Sequence, residues 1–181
     1  MAEPKVYVLR LNHRQSRDKR TTTHFLLTAR AFGANKAIYT GQQDERMEKT
    51  IQNLSKTWGG TFRVEYKKNW KKAINFFKMQ KTEIIHLTMY GLPIQDVVNQ
   101  IIKSNKDVLV VVGGAKVPGE VFKLADWNVS ITCQPHSEIS ALCIFLHEFL
   151  QGKEFYLTFE DAQIEVVPQF KGKKVISKNR N

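Results

Sequence analysis

Cysteine is scarce: only Cys133 and Cys143 occur among 181 residues, ten apart and within apolar sequence. Such a pair argues against a disulfide framework and against a zinc site, and two buried thiols are expected. Long apolar runs are lacking as well. The longest, such as Val108 to Val112 and Ile144 to Leu146, stop far short of the roughly 20 residues a membrane span needs, so a soluble chain with no membrane partner is expected. The opening Met1-Ala2-Glu3-Pro4-Lys5 has no basic n-region and no apolar h-region, which leads us to expect an intracellular, cytoplasmic protein. Several motifs are missing too. Without G-x-G-x-x-G or G-x-x-x-x-G-K-[ST], the ligand is neither a dinucleotide nor a triphosphate. Without H-E-x-x-H, G-x-S-x-G or C-x-x-C, hydrolysis, redox chemistry and a metal fall back.

What is present is an ordinary globular composition, 42% hydrophobic and 25% charged, in a chain long enough for one domain with one sizeable core. The charge is not ordinary. There are 28 basic and 17 acidic residues, a net +11, and the excess is uneven. Residues 1–30 carry +5 and 31–81 carry +7, whereas 82–150 carry −3 and 151–181 carry +2. A basic first half and tail around a mildly acidic block suggest a polyanion-binding surface beside a separate, less charged site; RNA, DNA or an anionic membrane would each supply the polyanion.

β-branched runs of strand length alternate with helical patterns. Strands are expected over Lys5 to Leu11, Lys36 to Thr40, Thr61 to Tyr66, Ile84 to Thr88, Val108 to Val112, Asn128 to Thr132 and Ile164 to Val167. Between them, Asp18 can N-cap a helix that Gly33 ends, Asp44 one that stops near Gly59-Gly60, and Asn69 one through Gln80. Pro93 and Pro118 suit N1 positions. This alternation predicts an α/β fold, a parallel sheet flanked by helices on both faces, with Val108 to Val112 as a strand buried on both sides. A last helix, Ser137 to Leu150, is apolar nearly all round and needs a core or a subunit interface to cover it.

Ligands of open parallel sheets bind beyond the carboxyl ends of the strands. Three loops there stand out: His86-Leu87-Thr88-Met89-Tyr90-Gly91, Gly113-Gly114-Ala115-Lys116-Val117-Pro118, and Thr132-Cys133-Gln134-Pro135-His136. Glycines let backbone approach a ligand closely, and the freed amides and carbonyls can pair with a purine edge or ribose hydroxyls. A strand-to-helix turn would account for Gly113-Gly114 alone; three such loops in series favour a site.

Six stretches of residues carry a resemblance to a known family. Leu9-Arg10-Leu11-Asn12-His13-Arg14, Arg17-Asp18-Lys19-Arg20-Thr21-Thr22-Thr23-His24 and Thr28-Ala29-Arg30-Ala31-Phe32-Gly33-Ala34 open the chain; His86 to Gly91, Val110 to Val117 and Gln134-Pro135-His136-Ser137-Glu138 follow in order. Together they resemble the archaeal tRNA cytidine-56 2'-O-methyltransferase family of the SPOUT superfamily, over nearly the whole chain. The resemblance implies S-adenosyl-L-methionine as cofactor, tRNA as substrate, a homodimer, and a methyltransferase domain over residues 1–150. It also implies a C-terminal trefoil knot within about 84–150, and leaves 151–181 as a short C-terminal β extension and basic tail. It places Leu87, Gly113, Gly114, Ala115, Lys116, Val117, Val129, Ser130, Ile131, Thr132, Cys133, Gln134, Pro135 and His136 around the cofactor.

Methyl transfer to a ribose needs the 2'-hydroxyl aligned with an activated methyl and its proton removed. The resemblance assigns an N-terminal arginine to that hydroxyl. The family motif has it directly before Thr-Ala-x-Ala-x-Gly, where this chain has Leu27; Arg20 lies seven residues earlier, about two helical turns, on roughly the same face. Arg20, with Arg17, is therefore the expected catalytic residue, as an alkoxide-stabilising or phosphate-clamping group, since arginine is a poor literal base. His13 and His24 could relay a proton, touch a phosphate, or be structural, and His136 is read as binding. For RNA, Arg10, Arg14, Lys19, Lys67, Lys68, Lys71 and Lys72 are the expected contacts, with Tyr66 and Trp70 as stacking groups or core, and the tail Lys171, Lys173, Lys174, Lys178 and Arg180 as an adjunct. A SPOUT enzyme acting on an RNA base, or a noncatalytic RNA-binding protein of the same fold, remains open at this point.

Overall fold

A computed structural model describes residues 3–114 and 116–178. Ala115 and Arg180 lie outside them. The elements run β1 (Val6–His13), α1 (Lys19–Ala31), β2 (Lys36–Gly41), α2 (Glu45–Trp58), β3 (Arg63–Tyr66), α3 (Trp70–Met79), β4 (Glu83–Pro93), α4 (Ile94–Ser104), β5 (Val108–Gly113), α5 (Gly119–Leu124), β6 (Trp127–Ser130) and α6 (Glu138–Leu150). A 3₁₀ turn, Lys153–Tyr156, then precedes β7 (Ile164–Val167) and β8 (Lys174–Ser177). Strands β1 to β6 form one parallel sheet in the order β3-β2-β1-β5-β4-β6.

Alternation along each strand explains the three layers. Val6 and Val8, Ala37 and Tyr39, Ile85 and Leu87, and Val108, Val110 and Val112 face a core with Phe25 and Leu26 of α1, Ile51 of α2, Val97 of α4 and Phe145 of α6. Their neighbours Leu9, Ile38, Ile84, Leu109 and Val111 face Ile74 and Phe77 of α3 and Val121 of α5. Val108–Val112 is at most 2% exposed, as a strand covered on both faces requires. Each such valine contributes about 1.5–3 kcal/mol by leaving water.

Local chemistry sets the helix starts. Asp44 caps α2 by accepting from the Met47 amide at 3.0 Å, and Asn69 caps α3 by accepting from the Lys72 amide at 3.0 Å. Asp18 stands at the start of α1 without capping it, because its carboxylate is taken by the Arg14 side chain at 2.8 Å and the Arg14 amide at 3.1 Å. Pro93 and Pro118 are not N1 residues: with ψ near 135° they are extended, and α4 and α5 begin one residue later. β3 starts at Arg63 instead of Thr61, and β6 ends at Ser130 instead of Thr132.

Helix α6 is covered largely by the rest of the chain. Leu142, Phe145 and Leu146 are fully buried and Ile144 is 43% exposed. The cysteines differ from expectation: Cys133 is exposed in a loop, while Cys143 is half-buried, its thiol pushed up by burial. Beyond α6, β7 and β8 pair antiparallel from Ile164 opposite Ser177 to Val167 opposite Lys174, a second strand the sequence patterning did not predict. The Gln163 amide donates to the Thr57 carbonyl at 2.9 Å and the Gly60 amide to Asp161 at 2.8 Å, fastening the approach to this hairpin to the end of α2. Among the described residues, no helix is long and apolar enough to cross a membrane.

Candidate functional site

β4 makes the site. Leu87 and Leu92 both pair with Val129 of β6, so residues 88–91 leave the ladder as a bulge while the strand resumes beyond them. Glycine is required at the end of that bulge: a Cβ on Gly91 would stand 2.5 Å from the Asn128 carbonyl and the Val129 amide nitrogen. Under the bulge, at the carboxyl ends of β4 and β5, lies a cavity of about 540 Å³, within the usual size range for a small-molecule site. Leu87, Val112, Phe122, Ile131 and Ala141 give it apolar walls; His86, Thr88, Lys116, Gln134, His136 and Glu138 give it polar atoms.

The structure brings most of the expected loop residues together. Leu87, Gly113, Gly114, Lys116, Val117, Ile131, Gln134, Pro135 and His136 line the cavity. Val129 and Ser130 are buried in β6 and support the wall without lining it, and Thr132 and Cys133 face solvent. The Gln134 amide donates to the Thr132 hydroxyl at 3.1 Å, which turns the chain so that Gln134 and not Thr132 faces inward. Lys116 takes a left-handed φ of 68° to keep the β5–α5 loop tight.

Arg10 is not at the surface. It is 2% exposed, on the α6 side of β1, where Nη2 donates to Glu138 Oε1 at 2.7 Å and Nη1 to the Leu11 carbonyl at 2.9 Å. Burial pushes its pKa down and the Glu138 carboxylate draws it back up. A Cβ on Gly114 would stand 3.3 Å from Arg10 Nη2, so the glycine loop closes directly over the guanidinium. Arg10 thus ties β1, that loop and the start of α6 into one piece, which corrects its assignment to an RNA surface. His86 is fully buried on the opposite face of the sheet; its Nδ1 lies 2.9 Å from Asn128 Oδ1, its ring meets Phe122 edge to face at 4.6 Å, and Nε2 has no partner among the described residues. Burial lowers its pKa, so the imidazole is neutral near pH 7.

Beyond the other half of the sheet edge, charge is exposed. Arg17, Lys19 and Arg20 are exposed around the start of α1, and Arg17 and Arg20 do not line the cavity. Lys19 borders a shallow groove with Gln15, Gln42 and Arg46. Arg14 is exposed but held by Asp18, Lys67 by Glu65, and Lys71 by Glu120 at 2.5 Å. Lys68 and Lys72 are exposed with no ion pair among the described residues. Tyr66 and Trp70 are half-buried and pack against the core, and the Tyr66 hydroxyl donates to the Gly41 carbonyl at 2.9 Å. His13 is fully buried: Nδ1 lies 2.9 Å from the Thr22 hydroxyl and Nε2 3.7 Å from Asp44, and burial lowers its pKa. It braces β1 against α1 and α2. His24 is exposed on α1.

Sequence reasoning named the loop that begins at His86 but missed that Arg10 turns inward to pair with the partly exposed Glu138. The pair had a signal, since an arginine inside the strand Val6-Tyr7-Val8-Leu9-Arg10-Leu11 can be buried only with a carboxylate. Among the described residues there is no cluster of three or more His, Cys, Asp or Glu side chains able to hold a metal ion.

With the geometry in view, comparison with known proteins identifies close relatives. The family model described as tRNA ribose 2'-O-methyltransferase, aTrm56, matches residues 58–176. The chain is 55% identical over 168 residues to the tRNA (cytidine(56)-2'-O)-methyltransferase of Methanothermobacter thermautotrophicus, covering 93% of this chain and 94% of that protein. It is 49% identical over 178 residues to the enzyme of that name from Methanocaldococcus jannaschii, covering 97% and 98%. Among solved structures, the TrmH/SpoU tRNA-modifying enzyme of A. aeolicus superposes with a TM-score of 0.61 at 18% identity, over 85% of this chain and 79% of that one. The SpoU methyltransferase AviRb of Streptomyces viridochromogenes, solved with AdoMet, gives 0.62 at 14% identity, over 84% and 59%. These likenesses show a shared fold.

Proposed function

Because the chain belongs to the tRNA ribose 2'-O-methyltransferase family, aTrm56, we propose that it is a tRNA (cytidine(56)-2'-O)-methyltransferase using S-adenosyl-L-methionine. The observation that carries this reading is the cavity beneath the β4 bulge. It coincides with the loops that the sequence motifs single out, in a chain 55% identical to an enzyme of that name.

The cavity suits this cofactor. About 540 Å³ accommodates an adenosine with an amino-acid tail, the apolar wall of Leu87, Val112, Ile131 and Ala141 suits a purine, and Glu138 puts a carboxylate where a cationic ligand would sit. When bound, the cofactor supplies a methyl activated by a positive sulfur. The rest falls to the chain. Leu87, the Gly113–Val117 loop, and Ile131, Gln134, Pro135 and His136 hold the adenosine and the tail, with Val129 and Ser130 behind them. Arg10 holds Glu138 in place. Arg20, assisted by Arg17, receives the ribose and stabilises the 2'-oxygen while its proton passes to solvent water and its lone pair takes the methyl, leaving S-adenosylhomocysteine.

Neither arginine lines the cavity of its own subunit. We therefore place them at the cavity of a partner, in a homodimer. Ile144 of α6, 43% exposed, and Phe155 and Tyr156 in the turn after it, 73% and 85% exposed, offer the apolar face. Phe145, fully buried in the subunit core, is not part of that face. Lys19, Lys68 and Lys72 form the free part of the tRNA surface, with Arg14, Lys67 and Lys71 beside them and Lys171, Lys173, Lys174 and Lys178 added from the hairpin. Residues 1–150 form the methyltransferase domain, with the trefoil knot within 84–150, and 151–181 form a β extension. The reaction takes place in the cytoplasm.

The test is transfer of labelled methyl from S-adenosylmethionine to an unmodified tRNA transcript, followed by partial alkaline hydrolysis. Alkali cleaves RNA through the 2'-hydroxyl, so one resistant linkage after cytidine 56 is expected. Label without a resistant linkage would mean a base methylase, and tRNA binding without label a noncatalytic protein.

A further inference from the structure

His86 has one nitrogen that the protein uses and one that it leaves. It stands directly beside Asn128 across the β4–β6 ladder. Asn128 Nδ2 donates to the Phe122 carbonyl at 2.9 Å, which fixes the amide and turns Oδ1 towards the histidine. That oxygen can only accept, so the His86 Nδ1 2.9 Å away carries the proton. A neutral imidazole has one N–H, and Nε2 is therefore a bare lone pair. It is shielded from solvent and has no partner among the described residues. His13 also leaves Nε2 without a hydrogen bond, but the Asp44 carboxylate lies 3.7 Å away; His86 has no carboxylate near it among the described ion pairs. A buried polar atom is rarely left unmade in a folded protein; Arg10 Nε, Arg30 Nε, Glu83 Oε2 and Glu154 Oε2 are also left so among the described residues, but of all these atoms only His86 Nε2 belongs to a residue lining the cavity. His86 lines the cavity, and so does Phe122, whose ring its own ring meets edge to face.

We propose that His86 Nε2 is a cofactor-binding acceptor, taking a hydrogen bond from an N–H or O–H of the S-adenosylmethionine held in the cavity. This rests on the function proposed above and adds a specificity-determining contact to it. The carboxylate and the sulfur of the cofactor have no proton to give. The donor is the 6-amino group of the adenine, a ribose hydroxyl or the α-ammonium group. Asn128 is then a positioning residue: through Phe122 and His86 it holds the tautomer that leaves Nε2 open.

Calorimetric titration of the purified chain tests this. The ligands are S-adenosylmethionine, S-adenosylhomocysteine, and S-adenosylhomocysteine analogues lacking the 6-amino group, one ribose hydroxyl or the α-amino group. His86→Leu should weaken cofactor binding about tenfold, and His86→Gln, whose amide oxygen can stand near Nε2, should recover most of that loss. One analogue should lose the same factor against the wild-type chain and nothing further against His86→Leu, which names the donor. Equal losses for every analogue with both chains would overturn the proposal. The wild-type chain gives a second reading that needs no variant: the ¹⁵N resonance of His86 Nε2 should move upfield from its free lone-pair position when cofactor is added. A resonance that stays in place on a chain that binds cofactor overturns the proposal alone. A wild-type chain that does not bind S-adenosylmethionine overturns the function on which it rests.

Discussion

Around the cavity, charged and polar side chains close on one another: Arg10 on Glu138, His86 on Asn128, Asn128 on the Phe122 carbonyl. Around the start of α1 and on α3 they open outward: Arg17, Lys19, Arg20, Lys68 and Lys72 are exposed and make no ion pair among the described residues. The sheet separates two electrostatic tasks. One region fixes a few polar groups against one another in a pocket, where geometry gives selectivity. The other keeps several cations free in water, where they neutralise phosphates and salt competes with them.

The largest expected effect joins the two regions across the proposed dimer. Arg20→Ala should lower methyl transfer by about a hundredfold or more with cofactor affinity unchanged, and Gly91→Ala should abolish cofactor binding by driving a Cβ into the β6 backbone. Mixed in equal amounts, the two inactive chains should regain about a quarter of wild-type activity, because half the dimers are mixed and each holds one intact site of two. No recovery would mean that Arg20 does not serve a partner's cavity. Next is Arg10→Met, which leaves Glu138 without its partner. Because Glu138 is 24% exposed, a loss of about 2–3 kcal/mol is expected in urea unfolding, at the low end for a broken buried pair, with the salt dependence of tRNA binding unchanged.

The lysines should do the reverse. Lys68→Ala with Lys72→Ala should alter stability by no more than about 0.5 kcal/mol, yet reduce the slope of log affinity for tRNA against log salt by about 1–2. An unchanged slope would remove α3 from the RNA surface. The smallest effect is that of pH. Burial depresses His13 and His86 below the ordinary value of 6.5, so as pH falls below that value the unfolded chain takes up protons before the folded one does. Stability is full above about 6.5 and declines as pH falls towards the folded values. The melting temperature should drop by a few degrees between pH 7.5 and 5.5, and His86→Gln should reduce the drop. Asp18, held low by the Arg14 hydrogen bond, loses its contribution only in stronger acid, as the pH falls below the usual carboxylate range.

These contrasts were legible in the sequence to different depths. The parallel sheet followed from the alternation of β-branched runs with capped helices, and the separation of charge from simple counting along the chain. The three cavity loops followed from the rule that ligands sit beyond the carboxyl ends of parallel strands. Which side of a strand a residue faces depends on register, and there the reading fell short. Arg10 belongs to the basic N-terminal motif, yet shares a face with Val6 and Val8 and turns inward to Glu138, 128 residues away. Lys67 and Lys71 belong to a lysine cluster, yet Glu65 and Glu120 reach them. The β4 bulge and β8 depend on pairings that no local pattern encodes. Thr132 and Cys133 lie in an expected loop, but the turn at Gln134 directs them outward.

The most direct measurement is a parallel titration of the wild-type chain with S-adenosylmethionine and with an unmodified tRNA transcript, between about 50 and 200 mM salt. Cofactor affinity should stay nearly constant while tRNA affinity falls by about a hundredfold or more. A tRNA affinity as flat as that of the cofactor, or a cofactor affinity that falls alongside it, would contradict the division of the molecule into a cavity of mutually paired polar groups and an open basic surface.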